Sequence, residues 1–291
     1  MSFPTTWFNR RPAPAHPAWP TENGLTFVHH QPRLYNVGDD LCSPRHYFNL
    51  TPAQPGLVIM GGGAYGRYGV KYIRHYGYKP GNTVLWGVGE SRSKATGSTV
   101  TRLPFLAWGL RDKDRVTDAH FLPCVSCLHP MLNTPAARTG TLLFLNADPN
   151  VTHRKAAEHH LALANARGWH LRYNNASAAE TASALARCQR VITNSYHGAY
   201  WALLTGHEVI LLGYSSKFIS LYRSLGLDPA AITPIQRGDP ASLQHQLENP
   251  PFKNGARLAS PSETRDEFRD INQCFAQGLV DRGILQSAGL A

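Results

Sequence analysis

The feature that most constrains the fold is an alternation of short apolar segments with helix-forming segments, which is clearest from about Thr139 onwards. The apolar segments TLLFLNAD (141–148), RVITNS (190–195) and HEVILLGY (207–214) are separated by stretches with helical spacing of Ala and Leu. Strands that are apolar along almost their whole length are typical of parallel sheets covered by helices on both faces. The alternation therefore predicts an α/β fold.

The first half of the chain carries a second set of short apolar strands, separated by glycine-rich turns. These strands are LTFVHH (25–30), GLVIMG (56–61), TVLWGVG (83–89) and LPFLAWGL (103–110). We predict two Rossmann-like lobes, an N-terminal lobe at 1–135 and a C-terminal lobe at 136–291. The first twenty residues contain five prolines and predict an irregular lead-in. A helix from Ser262 to Leu285 is expected to pack back on the first lobe.

The net charge restricts the classes of partner. The chain of 291 residues has 29 Lys and Arg against 19 Asp and Glu, which gives a formal charge of +10. A basic excess suits nucleic acid, an anionic membrane surface or an anionic small substrate. No cluster of basic residues and no RNA-binding or zinc-finger signature is present, so nucleic acid is not expected. An anionic substrate is the preferred interpretation, with a membrane surface second.

Cysteine usage and hydropathy bear on the compartment. Five cysteines without a secretory signal favour a reducing environment. No apolar run approaches the roughly 20 residues that span a bilayer. We therefore expect a cytoplasmic protein. The alternative is a cytoplasmic protein with peripheral contact to the inner membrane.

The segment RVITNSYHGAYWALLTG (190–206) places a histidine where a buried strand turns into a helix. Ligands of open α/β sheets bind beyond the carboxyl ends of the strands, where helix N-termini offer free N–H groups. His197 is expected in the first turn, whose positive potential favours an anion and a neutral imidazole. Gly198 would allow a ligand or a strand to approach. A capping or packing role for His197 is an equally open interpretation.

The segment YNVGDDLCSPRHYF (35–48) is a second candidate. Asn36 and Gly38 suit a tight turn, and Asp39 follows where a helix would begin. Asp is an ordinary N-cap residue, so capping is the simpler interpretation of Asp39 taken alone.

Glycine and basic residues supply further candidates at strand ends. Gly61, Gly63 and Gly66 fit G-x-G-x-x-G after a strand, but no acidic ribose partner follows about twenty residues on. A glycine-lined floor to an anion pocket is preferred to nicotinamide binding. Arg111 follows a strand and could hold a carboxylate or phosphate through two hydrogen bonds, although its charged surroundings also suit a solvated face. Lys217, at the start of a helix, would add a second positive charge.

Cys124, Cys127 and His129 have ligand types at short spacing in PCVSCLHP (123–130). A structural zinc site normally needs four ligands, and no second pair of this kind follows. We therefore predict no metal site and interpret the cysteines as buried thiols, with the role of the three residues left open.

Five of these segments resemble the polysaccharide pyruvyltransferase family, in particular its shorter ketal-pyruvate transferases of exopolysaccharide synthesis. Their order and spacing span residues 34–226, and the Ser-x-His-Gly block followed by Lys-Phe is the most specific. The segments are NVGDDL (36–41), the glycines at 61–63, TVLWGVG (83–89), GLRDKD (109–114) and VITNSYHGAYWALLTGHEVILLGYSSKF (191–218).

The resemblance implies a two-lobed fold like that of GT-B glycosyltransferases, with the active cleft between the lobes. Family members transfer the enolpyruvyl unit of phosphoenolpyruvate to two hydroxyls of one sugar, which makes a cyclic ketal and releases phosphate. By resemblance, His197 is the catalytic or donor-binding histidine, Arg111 grips phosphoenolpyruvate, and Asp39 faces the acceptor. The substrate-binding candidates are Asn36, Gly38, Gly62, Gly63, Ser195, Gly198 and Lys217.

The implied partners are phosphoenolpyruvate as co-substrate and a sugar or lipid-linked oligosaccharide acceptor, with no separate cofactor. Two positions depart from the family pattern. Ser195 stands where many members have an arginine, and PCVSCLHP stands where many have Gly-Asp-Pro. The alternative function is a GT-B glycosyltransferase that uses a nucleotide sugar. A non-catalytic assembly partner and an NAD-dependent oxidoreductase follow after it.

Overall fold

The computed structural model describes residues 19–30, 35–92, 98–137, 139–152 and 156–291. Within these ranges the chain forms two five-stranded sheets and a two-stranded antiparallel ribbon. The predicted α/β class with parallel sheets is confirmed. The irregular lead-in predicted for the first twenty residues lies almost entirely outside the described residues.

The strands follow the order of the sequence. They are β1 (Thr21–Glu22), β2 (Leu25–Val28), β3 (Phe48–Pro52), β4 (Val58–Gly61), β5 (Thr83–Val88), β6 (Ala107–Leu110), β7 (Thr141–Leu145), β8 (His170–Tyr173), β9 (Arg190–Thr193), β10 (Glu208–Gly213), β11 (Thr233–Pro234) and β12 (Leu285–Leu290).

Helices fill the connections between the strands, together with short 3₁₀ turns. Among the described residues, the α-helices are α1 (Val37–Leu41), α2 (Val70–His75), α3 (Ala157–Ala166), α4 (Ala178–Leu185), α5 (Tyr196–Leu204), α6 (Ser216–Ser224), α7 (Pro240–Glu248) and α8 (Pro261–Asp281).

The first sheet has the order β1-β2-β4-β5-β6, and the second has the order β11-β10-β9-β7-β8. All neighbours are parallel except β1 and β2, which form an antiparallel hairpin. Its turn uses Asn23 and Gly24, both with positive φ, as tight hairpins require. In a parallel sheet every strand delivers its carboxyl end to the same edge, and the residues that follow the strands collect there.

Burial follows the apolar pattern of the sequence. All residues of β4, β5 and β7 are buried, as expected for strands covered on both faces. Helix α5 is buried along its whole length. One continuous apolar core contains Val37 and Phe121 from the first half of the chain together with Leu142 and Trp201 from the second.

Helix α8 packs against the first sheet, as predicted for the C-terminal tail. Asn272 Oδ1 accepts a hydrogen bond of 2.8 Å from Trp86 Nε1, and Leu279 shares the core of that sheet. The helix ends at Asp281 rather than at the predicted Leu285, because Gly283 adopts a positive φ that stops a helix. The chain then forms β12, which pairs antiparallel with β3 and was not predicted.

One predicted strand is shorter in the structure. The segment 103–110 contributes only β6, since Pro104 lacks the N–H that a strand interior needs. The 3₁₀ turn Pro229–Ala231 precedes the two-residue β11. None of the helices in the described ranges combines the length and apolar character needed to cross a bilayer.

Candidate active site

A polar cavity of about 160 Å³ lies at the carboxyl ends of the strands of both sheets. Nine of the ten strands of the two sheets are followed by a residue that lines it. From the first sheet these are His30, Ala64, Ser91 and Arg111. From the second they include Asn146, Asn174, Ser195, Lys217 and Arg237. This is the position at which open α/β sheets bind their ligands.

The turn between β9 and α5 supplies the histidine. Ser195 is the N-cap of α5, and its hydroxyl accepts a hydrogen bond from the backbone N–H of Gly198 at 3.4 Å. Ser195, Tyr196 and His197 all line the cavity. The N-terminus of α5, which carries positive potential, therefore faces the cavity. His197 lies in the first turn, as predicted, and lines the cavity while only 5 % exposed.

Helix α1 brings the predicted turn at Asn36 to the same cavity. Asn36 caps α1 by accepting from the N–H of Gly38 at 3.0 Å, and its amide donates to Asp39 at 2.7 Å. Asn36 and Asp39 both line the cavity. Gly38 packs directly on the His197 ring, and a methyl group in its place would overlap that ring. Gly38 therefore permits the contact between α1 and α5.

Arg111 is the buried cation of the cavity. Its guanidinium lies 3.9 Å from the centre of the Tyr196 ring, and the side chain is only 2 % exposed. The Nε and Nη1 atoms are buried without a hydrogen-bond partner. A buried donor without a partner costs about 1–3 kcal/mol, and more when the group is charged. Arg111 therefore brings a charged group with unsatisfied donors to the wall of the cavity.

The neighbouring acid does not neutralise Arg111 through a close contact. Asp112 accepts the backbone N–H of Glu90 at 2.7 Å, and its other carboxylate oxygen has no partner. Burial raises the pKa of Asp112 to about 6, although the charge of Arg111 opposes this shift. The charge of Arg111 thus remains available to a ligand.

Two further cations line the cavity. Lys217 Nζ donates to the hydroxyl of Tyr214 at 2.9 Å. Asn146 donates to the same hydroxyl at 3.2 Å. Arg237 lies 3.5 Å from Asp148, which also lines the cavity. Three cations and two carboxylates therefore surround one small polar space, which favours an anionic ligand.

The imidazole of His197 lies between two thiols. Its Nε2 atom is 3.3 Å from Cys42 Sγ and 3.6 Å from Cys124 Sγ. Burial raises the pKa of the Cys42 thiol. At Cys124, hydrogen bonds from Cys42 and His197 and the charge of Arg111 outweigh burial and lower the pKa. These three side chains are the only group of His, Cys, Asp and Glu within the described ranges whose geometry suits a metal ion.

Cys124, Cys127 and His129 are close in sequence but do not form one cluster in the structure. Cys127 receives a hydrogen bond from Asn272, and His129 Nδ1 accepts the N–H of Met131. Both Cys124 and Cys127 are buried thiols, as the sequence predicted. Only Cys124 turns towards His197.

All four glycine candidates, Gly38 included, lie outside the lining of the cavity. Gly62 packs on Cys42, Gly63 approaches His30 and Tyr65, and Gly198 packs on Phe144. Each provides room for a neighbouring side chain or strand. Sequence reasoning missed Cys42, Tyr196 and the polar residues that follow β7 and β8. Two of these polar residues could have been found from one signal, since Asn146 and Asp148 lie at the carboxyl end of the predicted segment 141–148.

A larger open depression of about 810 Å³ lies along α8. Its carboxylates include Asp118, Glu263, Asp266, Glu267 and Asp270. A lining of this charge repels anions. The smaller cavity, with its buried arginine and histidine, is therefore the candidate active site.

Comparison with known proteins identifies a relationship over part of the chain. Residues 138–216 match the sequence model of the polysaccharide pyruvyl transferase family. No curated protein matches the chain. The matched range contains β7 to β10, the turn with Ser195 and His197, and the start of α6. The match of the very segment that carries His197 supports the family predicted from the sequence motifs, the polysaccharide pyruvyl transferases.

Proposed function

We propose that the chain is a pyruvyltransferase that moves the enolpyruvyl group of phosphoenolpyruvate to a sugar and forms a pyruvate ketal. The product would belong to an exopolysaccharide or another cell-surface glycan. The observation that carries this proposal is the buried Arg111, with two unpartnered N–H groups, in a small cationic cavity at the family-matched His197 turn.

The cavity has the charges that this donor needs. Phosphoenolpyruvate has a carboxylate and a phosphate, with up to three negative charges in total. Arg111 would hold one of the two groups through charge-assisted hydrogen bonds from its guanidinium. Lys217 and the N-terminus of α5 would hold the other. Asn36, Ser195 and the backbone around Gly38 would then orient the donor or the sugar.

The reaction needs one proton delivered to carbon and two protons removed from hydroxyl groups. The methylene carbon of phosphoenolpyruvate takes a proton, and the first sugar oxygen bonds to the adjacent carbon. The second sugar oxygen then displaces phosphate, which leaves with the remaining proton. We assign the proton transfers to His197 and Asp39, a type of assistance worth roughly 10²–10⁴-fold.

The architecture supports a cleft of the GT-B kind. The carboxyl ends of both parallel sheets face the same cavity. We propose that the two sheets form the acceptor and donor lobes, with the boundary near residue 135 in the segment between β6 and β7. The basic charge of +10 suits an acceptor carried on a lipid diphosphate at the inner membrane.

The first experiment separates the donor classes by ligand-induced thermal stabilisation. We expect phosphoenolpyruvate to raise the melting temperature and nucleotide sugars to leave it unchanged. Stabilisation by a nucleotide sugar alone would favour the glycosyltransferase alternative.

The second experiment follows turnover. The protein is incubated with phosphoenolpyruvate and a panel of synthetic and lipid-linked sugars, while phosphate release and the mass of the sugar are measured. We expect a pyruvate ketal in stoichiometric amount with phosphate. His197→Ala is expected to abolish turnover, and His170→Ala, at an exposed histidine on β8, is the matched control. Normal turnover of His197→Ala would exclude the assigned role.

A further inference from the structure

We propose that Cys42, Cys124 and His197 form a binding site for a thiophilic divalent metal ion of the zinc class. The three donor atoms come from separate elements, namely the end of α1, the start of the 3₁₀ turn Val125–Leu128 and the first turn of α5. They lie within 4.8 Å of one another, and all three residues are buried. Two cysteines and one histidine are a ligand set of protein zinc sites.

The spacing of the donor atoms fits tetrahedral coordination. Bond lengths of about 2.3 Å to sulfur and 2.0 Å to nitrogen place tetrahedral S and N ligands about 3.5 Å apart. The Nε2 atom of His197 lies 3.3 Å from Cys42 Sγ and 3.6 Å from Cys124 Sγ. Both nitrogen-to-sulfur distances are therefore close to the distance expected for two ligands of one tetrahedral metal ion.

Neighbouring residues hold the three ligands in place. A methyl group at Gly38 would overlap the His197 ring, and one at Gly62 would overlap Cys42. Ser126 Oγ accepts from Trp201 Nε1 at 2.9 Å, so its own proton is free to point at Cys124 Sγ, 3.2 Å away. Supporting hydrogen bonds of this kind orient ligands in metal sites.

The charges balance. Two thiolates and a neutral imidazole match the charge of a divalent ion, so the loaded centre is neutral and Arg111 keeps its charge for the donor. Three protein ligands leave a fourth position open, as in catalytic rather than structural zinc sites. Cys42 Sγ lies 2.8 Å from the carbonyl oxygen of Gly38, and metal binding would release the thiol proton.

A metal ion would also change the role of His197. With Nε2 bound to the ion, the remaining ring proton would stay on Nδ1, which packs against Gly38. Of the two residues to which the proposed function assigns proton transfers, Asp39 alone would then exchange protons, and His197 would act as a metal ligand. The metal site itself does not rest on the proposed function, because metal binding is measured without turnover.

The test is a titration of the reduced, chelator-treated full-length protein with Co²⁺, followed through thiolate-to-cobalt charge-transfer absorption and bound metal content. We expect one equivalent in the wild type. Cys127→Ser is the matched control, since Cys127 is equally buried and three residues from Cys124, and we expect it to bind like the wild type. In Cys42→Ser and Cys124→Ser we expect a weaker charge-transfer absorption. We also expect the affinity for Co²⁺ to fall by more than about 100-fold, because the loss of a residue that only hydrogen-bonds to a ligand already lowers metal affinity by about 10–100-fold.

X-ray absorption of the zinc-loaded wild type keeps the test independent of how the variants fold. We expect two sulfur neighbours and one imidazole nitrogen around the ion. Failure of the wild type to bind an equivalent, or a metal without sulfur neighbours, would overturn the proposal. So would unchanged binding in Cys42→Ser and Cys124→Ser. Any of these results would make the cluster a metal-free hydrogen-bonded thiol–imidazole group.

Discussion

At the scale of single residues, the site depends on side chains whose polar atoms are buried next to a cavity. Arg111 is buried without a complete set of hydrogen bonds, which is unfavourable for a charged group. The cation–π contact with the face of the Tyr196 ring offsets part of this cost. A stability-optimised core would not keep such a group. Its position directly after β6, at the carboxyl edge of the sheet, is where open α/β sheets bind ligands, and this agrees with the proposed donor-binding role.

Arg111→Lys tests whether the fork geometry of the guanidinium matters and not only its charge. Lysine retains one positive charge but cannot form two parallel hydrogen bonds. We expect KM for phosphoenolpyruvate to rise about 10–100-fold, as the loss of a charge-assisted hydrogen bond of 1.5–3 kcal/mol implies. Steady-state kinetics gives the value. Arg172→Lys, an exposed arginine on β8, is the control, and an equal effect there would contradict the assignment.

Gly38→Ala tests the close packing of α1 on the first turn of α5. The added methyl group would overlap the His197 ring, so the ring or the helix must shift. Overpacking of this kind costs typically about 1–3 kcal/mol. We expect a loss of that size in the free energy of unfolding in urea. Activity is expected to fall as well. Gly66→Ala, where the added group meets open space, should have neither effect.

At the scale of elements, the strand–helix units are built from local signals that agree with their burial. Helix α4 begins with a complete capping box, in which Ser177 accepts from the N–H of Glu180 and the Glu180 carboxylate accepts from the N–H of Ser177. Helix α3 packs on β8 through His160, whose Nδ1 lies 2.9 Å from the hydroxyl of Tyr173. Burial of this imidazole makes the contact sensitive to pH.

We expect the α3–β8 contact to lose stability in acid. Burial, with a contribution from His159, lowers the pKa of His160 to about 4. The unfolded chain therefore binds a proton at higher pH than the folded chain, and stability falls as the pH drops from about 6.5 towards 4. The loss is at most about 3 kcal/mol, at 1.36 kcal/mol for each unit of pKa shift.

Urea unfolding at a series of pH values measures this effect. His160→Gln is expected to flatten the slope between pH 6.5 and 4. His170→Gln, at an exposed position, should retain it. A slope that is equal in wild type and His160→Gln would show that other groups cause the acid sensitivity.

At the scale of the whole molecule, the two sheets share one apolar core and one cavity. Helix α8 links them, since Phe268 packs in the core with Trp201 while Asn272 and Leu279 pack under the first sheet. Near the cavity, Ser91 donates to Ser215 at 2.9 Å, and Ser216 donates its N–H to the carbonyl of Arg92 at 2.8 Å. The sheets are therefore coupled at both the core and the site.

We expect thermal unfolding to occur in a single cooperative transition. Separation of the sheets would expose the shared core of Val37, Phe121, Leu142 and Trp201. Calorimetry should give a van't Hoff enthalpy equal to the calorimetric enthalpy. The fragment 136–291 is expected to fail to fold alone, as judged by near-UV circular dichroism. Two resolved transitions, or a folded fragment, would show that the lobes are independent.

The sequence alone determined the features that depend on local order along the chain. The period of apolar residues fixed the α/β class, and the strand-to-helix turn placed His197 at a helix N-terminus. The same reasoning placed Arg111, Asn36, Asp39 and Lys217 at strand ends or helix starts. They share one cavity because parallel strands deliver their ends to one edge.

Only the tertiary structure decided which distant residues meet. Cys42 and Cys124 lie 155 and 73 positions from His197 in the chain, yet both contact its ring. The pairing of β12 with β3 is equally remote in sequence. Local propensity and periodicity act over a few residues. Contacts between distant residues depend on how whole helices and strands pack, so short-range sequence patterns do not predict them.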